Sequence, residues 1–271
     1  MSGTYKATGI NLKAMPIGEN DRLVTILTRE HGLIRAIAPG ARKSKSSMGG
    51  RSALFIVNDL LIFKGRSIDK ITQAETIVTY GKLSGDLGKL AASQYLAEIV
   101  LAQALKEHPQ EDLYQLLLLH LGRLNGLDQG DNTASIAHLC QGIFHLLALG
   151  GIAPQVYSCC ITRHAIEPNF TTLNWQIGFS IESGSTVELD IATQGPSMMV
   201  NYRLTALDLL LFQHLSDPSL HRLDLEIDKF PLETISDVEL ARVWRRIERI
   251  LRQYIHYHLN LQIRSAALID L

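Results

Sequence analysis

Gly32-Leu33-Ile34-Arg35-Ala36-Ile37-Ala38-Pro39-Gly40-Ala41-Arg42-Lys43-Ser44-Lys45-Ser46-Ser47-Met48-Gly49-Gly50-Arg51 is the stretch that decides the fold. It opens as a short apolar strand and passes through Pro39-Gly40 into a basic, glycine- and serine-rich run. No acidic residue occurs between Glu30 and Asp59. A run of this kind between two strands is poorly suited to packing a core. It is well suited to tracking a phosphate backbone, because each Lys or Arg that meets a phosphate releases a condensed counterion. Arg35, Arg42, Lys43, Lys45 and Arg51 are therefore the leading candidates for backbone contact, with Arg22, Lys64 and Arg66 behind them.

Outward from that stretch the first 80 residues read as β. Thr8 to Met15 sets Ile10, Leu12 and Ala14 against Asn11 and Lys13. After the turn cluster at residues 16–21 come Arg22 to Thr28 and then Leu33 to Ala38. Beyond the basic run lie an apolar segment, Leu54 to Phe63, and a final strand, Lys70 to Thr79. Five short strands separated by turns fit a small closed barrel of the OB type, and an SH3-like barrel has the same strand count. Phe55 and Phe63 read as core residues, so aromatic stacking on bases should be limited.

After Gly81 the apolar period changes to that of helices. Helices are expected near residues 87–100, from Asp112 to Leu124, from a cap at Asn132 or Thr133 to about Leu149, from Thr205 or Asp208 onward, and from the capping pattern Ser236-Asp237-Val238-Glu239 to about Leu259. The stretch 155–200 looks irregular with short strands. The fold class is thus α+β and multidomain: residues 1–80 form an OB-fold nucleic-acid-binding domain, and 81–271 a helical domain with a small β-like insertion at 155–200.

Net charge over the 271 residues is −1, but its distribution is uneven: residues 1–80 carry +6 and the remainder −7. A basic binding module joined to an acidic partner module follows from that asymmetry. The last helix carries Arg242, Arg245, Arg249 and Arg252 at helical spacing, a second basic stripe unless Glu239 and Glu248 pair with it. The three cysteines, Cys140, Cys159 and Cys160, form no disulfide framework. Adjacent Cys159 and Cys160 lack the second pair a structural zinc needs, and Cys140 reads as core. No Walker loop, dinucleotide fingerprint, His-Glu-x-x-His run or nucleophile elbow is present, so neither an enzyme nor a cofactor is expected. No signal-like N-terminus or membrane-length apolar run occurs, and the expected location is cytoplasmic.

Gly18-Glu19-Asn20-Asp21-Arg22-Leu23, together with Thr28-Arg29-Glu30-His31-Gly32 through Gly40-Ala41-Arg42-Lys43, resembles the N-terminal domain of the bacterial RecO family. Phe55, Ala74-Glu75, Leu149 to Pro154, and Tyr254 to Leu259 with Arg264-Ser265 extend the resemblance over nearly the whole chain. It implies an OB-fold, a helical domain and, in many members, a zinc-ribbon insertion. It also implies a non-catalytic, nucleoid-associated recombination mediator that binds single- and double-stranded DNA. Such a mediator anneals strands coated by single-strand-binding protein and works with RecR to load RecA. Three departures stand out. Pro39 replaces a family Lys, Thr162 stands where a second zinc-ligating Cys is expected, and Cys140-Gln141-Gly142 replaces an Arg-Phe-Glu associated with docking the tail of single-strand-binding protein. Alternative readings from the residues are an OB-fold RNA-binding module and a protein adaptor.

Overall fold

The computed structural model describes residues 3–192, 199–218 and 235–269. They fall into two compact units, Met1–Gly126 and Leu127–Leu271.

The first unit is built on five strands: β1 (Thr4–Ile17), β2 (Asp21–Thr28), β3 (Gly32–Ala38), β4 (Ile56–Phe63) and β5 (Asp69–Thr79). They close into a barrel in the order β1-β2-β3-β5-β4, the order of an OB-like barrel. Neighbours run antiparallel except β3 and β5, which pair parallel at Ala36↔Asp69 and Ile37↔Lys70. Val24, Ile26, Ala36, Ala38, Leu60, Ile62 and Ile71 fill the interior.

Two features differ from the sequence expectation. First, β1 carries a bulge between Asn11 and Lys13. The extra residue reverses which face each later side chain takes. Asn11 is consequently buried, while Lys13 and Met15 point outward. Second, the basic stretch is not a bare loop. Ser47–Arg51 forms a short helix, α1, whose Met48 packs against the barrel core beside Ala41. Buried amides fasten this segment. Asn11 Nδ2 donates to the carbonyls of Arg51 and Ala53, both at 2.8 Å, and Asn58 Nδ2 donates to the Arg51 carbonyl at 2.9 Å. Phe55 is core as expected, but Phe63 is 39% exposed.

Two helices, α2 (Leu87–Gln103) and α3 (Glu111–Gly126), belong to the same unit. Asp86 caps α2 by accepting from the Lys89 amide. The expected boundary at 80/81 marks where the strands end; packing carries α2 and α3 along with the barrel, against β1 and β2. Gly32 shows how close the approach is. It sits at φ +60°, and a Cβ there would collide with the carbonyls of Leu105 and His108.

In the second unit, α4 (Asn132–Leu149) starts at Asp131, whose carboxylate accepts from the Ala134 amide; the cap lies one residue before the positions expected. A small sheet follows, with β6 (Gln155–Cys159), β7 (Gln176–Ser180), β8 (Ser185–Val187) and β9 (Tyr202–Thr205) in the order β6-β8-β7-β9. A turn of helix, α5 (Leu189–Ala192), lies between β8 and β9. Part of the expected insertion, residues 193–198, lies outside the described residues. Next, α6 (Ala206–His214) opens on a full capping box formed by Thr205 and Asp208. The long α7 (Asp237–Leu259) opens on Ser236, which accepts from the Glu239 amide. It ends at Asn260 in the left-handed region, and α8 (Ala266–Ile269) follows. Cys140 lies buried on α4 against the Trp244 carbonyl of α7.

Candidate nucleic-acid interface

The barrel's outer surface over β1, β2 and β3 has two halves. In one, Ile10 and Leu27 pair side by side and are fully buried, on the two strands against which α2 and α3 pack. The other half is open. There the register sets Lys13 beside Thr25 and Thr25 beside Arg35, a cation–hydroxyl–cation row across three strands. The next row is Met15, Leu23, Ile37 and, across the parallel pair, Lys70. Lys13, Arg35 and Lys70 are exposed, as is Met15. In barrels of this topology, the β2–β3 face and the turns joining β1 to β2 and β4 to β5 are the surfaces that take oligonucleotides.

Both turns border this face. The β4–β5 turn, residues 64–68, meets β3 where Asp69 pairs with Ala36. Here a groove of about 640 Å³ is lined by Arg35, Lys64, Arg66 and Lys106, with Tyr5 and His31 at its wall. The two rings meet edge-on at 4.8 Å. The carboxylate of Asp69 in this groove accepts from the Tyr5 hydroxyl at 2.5 Å and from the Gly65 amide at 3.1 Å. Burial, then the Asp69 hydrogen bond and charge, push the Tyr5 phenol well above its ordinary pKa, so it stays a donor. Gly65 is required: a Cβ there would strike the Ile68 carbonyl.

The β1–β2 turn borders the other end of β3, where Arg22 pairs with Ala38. The basic stretch docks on it. The Arg42 amide donates to the Asn20 carbonyl at 2.8 Å, the Arg42 guanidinium to the Gly18 carbonyl at 2.9 Å, and the Gly40 amide to Asp21 at 2.7 Å. Arg42, Lys43 and Lys45 remain exposed, with Lys45 at φ 61°.

The eight candidate cations thus separate. Arg35, Lys64 and Arg66 share one groove, and Arg42, Lys43 and Lys45 share the neighbouring turn. Arg22 is half-buried and points its guanidinium inward to the Gly49 carbonyl at 2.8 Å and Ser52 Oγ at 3.1 Å. Arg51 lines a different groove, which also holds Glu30, Asp59 and Glu75. Lys13, Lys70 and Lys106 join the first groups. The signal for Lys13 and Lys70 was the strand register, and for Lys106 the approach of residues 105–108 to the barrel; a linear charge count contains neither.

In the second unit, burial raises the Cys159 thiol pKa, but hydrogen bonds from Thr162 and from backbone amides outweigh it and bring it below the ordinary value. The Thr162 hydroxyl also lies 3.3 Å from a Glu188 carboxylate oxygen, so its single proton is shared between Cys159 and Glu188. No group of three or more His, Cys, Asp or Glu side chains able to hold a metal occurs among the described residues. Cys140, Gln141 and Gly142 are buried on α4. No helix among the described residues is long and apolar enough to cross a membrane.

The chain matches two family models: Recombination protein O N terminal over residues 1–80 and Recombination protein O C terminal over residues 84–187. It is 49% identical to a protein of Nostoc punctiforme over 302 aligned positions, covering 100% of this chain and 96% of that one. It is 50% identical to one of Gloeothece citriformis over 283 positions, covering 100% and 98%. With a protein of Gloeobacter violaceus it shares 42% over 272 positions, covering 100% and 95%. Each of these relatives is called DNA repair protein RecO.

Proposed function

Because this chain belongs to the RecO family of non-catalytic DNA repair and recombination proteins, we propose that the open half of its barrel face grips nucleic-acid backbone and so promotes strand annealing. The observation that carries this reading is the Lys13–Thr25–Arg35 row continued into the groove of Lys64, Arg66 and Lys106. Arg42, Lys43 and Lys45 extend it along the neighbouring turn.

Cations spread over several strands neutralise phosphates without reading bases, so binding is independent of sequence and includes single and double strands. The repulsion between two complementary strands falls, and their bases pair without any covalent step. Met15, Leu23 and Ile37 offer an apolar strip for sugars. Arg22 and Arg51 have a different role: Arg22 holds the end of α1 in place, and the Arg51 carbonyl is the anchor for Asn11 and Asn58. Residues 1–80 are the nucleic-acid module in this reading, and 81–271 carry contacts with RecR and single-strand-binding protein that lead to RecA loading. Since α4 has no cation at 140–142, the acidic tail of single-strand-binding protein would be met elsewhere.

The test is annealing of complementary oligonucleotides coated with single-strand-binding protein, by wild type and by the variant R35A/K64A/R66A. Losing three phosphate contacts lowers the slope of log affinity against log salt by about 2 for a single strand. That corresponds to about a hundredfold weaker binding at 0.1 M salt, with convergence near 1 M. An unchanged slope together with undiminished annealing would refute the proposal.

A further inference from the structure

The long helix α7 carries eight acidic or basic side chains besides its two histidines, and they sort by face. Val243, Trp244, Ile247, Ile250 and Leu251 are buried and hold the helix to its unit. Two of its arginines are neutralised internally. Arg246 donates to the buried Asp208 carboxylate at 2.8 Å, and Arg252 to the buried Glu248 at 2.8 Å. Arg242, Arg245 and Arg249 are different. All three are exposed, and none makes an ion pair among the described residues. With Gln253 and His256 they lie within ~80° of helical arc and run for ~21 Å along the axis. No carboxylate interrupts them: Asp237 and Glu239 lie in the first turn, and Glu248 is buried.

We propose that this arginine face is a second nucleic-acid backbone site, carried by the second unit and separate from the barrel face. The charges sit on a straight rod, with Arg242 and Arg249 separated by ~10 Å of rise, about three nucleotide steps at 3.4 Å each. Guanidinium groups suit phosphate because their planar fork meets two oxygens at once. At the C-terminal end of the row, Tyr257 is 56% exposed and braced edge-on by His258 at 5.0 Å, a ring on which a base can stack. An acidic peptide would meet the same charges, but a single unbroken row with an aromatic at its end fits a polymer of evenly spaced phosphates and flat bases better. A chain with two such sites holds two strands at once. Their encounter becomes intramolecular, with an effective concentration that a single site does not provide.

The inference rests on the proposed function for the class of ligand, and the test separates the two. Wild type, R242A/R245A/R249A and the barrel variant R35A/K64A/R66A are compared, each as the full chain, by calorimetric titration with a ten-nucleotide oligothymidylate and by annealing rate. Wild type is expected to bind two oligomers per chain and each variant one. The α7 variant should anneal at least tenfold more slowly while still binding a single strand, and the Lys replacements at 242, 245 and 249 should restore most of the rate. An α7 variant with two binding events and full annealing overturns the inference, all the more if it has lost affinity for a polyglutamate peptide. A barrel variant with undiminished binding and annealing overturns the proposed function instead.

Discussion

Replacing Asn11 by Leu removes the amide that fastens the basic stretch to the barrel. Asn11 is 1% exposed, and its Nδ2 spends both protons on the carbonyls of Arg51 and Ala53. Leu fills nearly the same space and donates nothing. The Arg51 carbonyl keeps its bond from Asn58, but the Ala53 carbonyl loses its donor. Two hydrogen bonds at about 1 kcal/mol each, plus part of the cost of an orphaned acceptor, come to roughly 2–3 kcal/mol. The loss is local first, so the observable is amide exchange by mass spectrometry over residues 48–57. There the rates should rise about thirtyfold or more, since 1.4 kcal/mol is tenfold in an equilibrium. Asn11→Asp should be worse than Asn11→Leu, because a carboxylate would face two carbonyl oxygens. Unchanged exchange over 48–57 in both variants would show that the amides do not hold this segment.

Two further outcomes are expected. Gly65→Ala leaves every charge in place but forces the β4–β5 turn open at the Ile68 carbonyl, so oligonucleotide affinity should fall several-fold with the salt slope little changed; unaltered affinity by fluorescence anisotropy would argue against the groove. Burial raises the phenols of Tyr5, Tyr80, Tyr202 and Tyr254, and brings Tyr114 to about 12. The neutral phenol is favoured in the fold, so this stability is complete below pH 10 and is lost as pH rises toward the folded values. At pH 11 the folded protein should show well under the phenolate absorbance of its eight tyrosines, and its urea midpoint should be lower than at pH 9; a full phenolate signal from folded protein would contradict this.

The strands at Arg22 to Thr28 and Leu33 to Ala38 were legible because each is β-branched, apolar and bounded by turn residues, and both match β2 and β3 closely. The Ser236–Glu239 cap was legible for the same local reason, whereas Thr205 and Asp208 read as alternative starts of a helix and prove to be the two halves of one capping box. The phase of β1 was not. Simple alternation puts Asn11 outside with Lys13, whereas the bulge sends them to opposite faces. The basic stretch read as a loop because glycine and serine mask a five-residue helix, and only tertiary contact shows Met48 reaching the core. Charge alone ranked Arg22 and Arg51 with the surface cations. Their partners, Gly49, Ser52 and the acidic groove, are set by the three-dimensional path of the chain. Lys13, Lys70 and Lys106 were overlooked because they lie outside the basic run and become neighbours only through strand pairing and the approach of residues 105–108.

The bulge at Leu12 makes the first strand a two-phase ruler. Before it, odd-numbered residues such as Ala7 face the interior; beyond it, the even-numbered Ala14 does. Pairing the same residues in straight alternation, without the bulge, would swing Lys13 onto the interior face with Asn11 and lift Ala14 into water, erasing the cationic row without altering a single charge in the composition. The cationic row thus depends on one unpaired position in β1 as much as on the lysine that the strand displays.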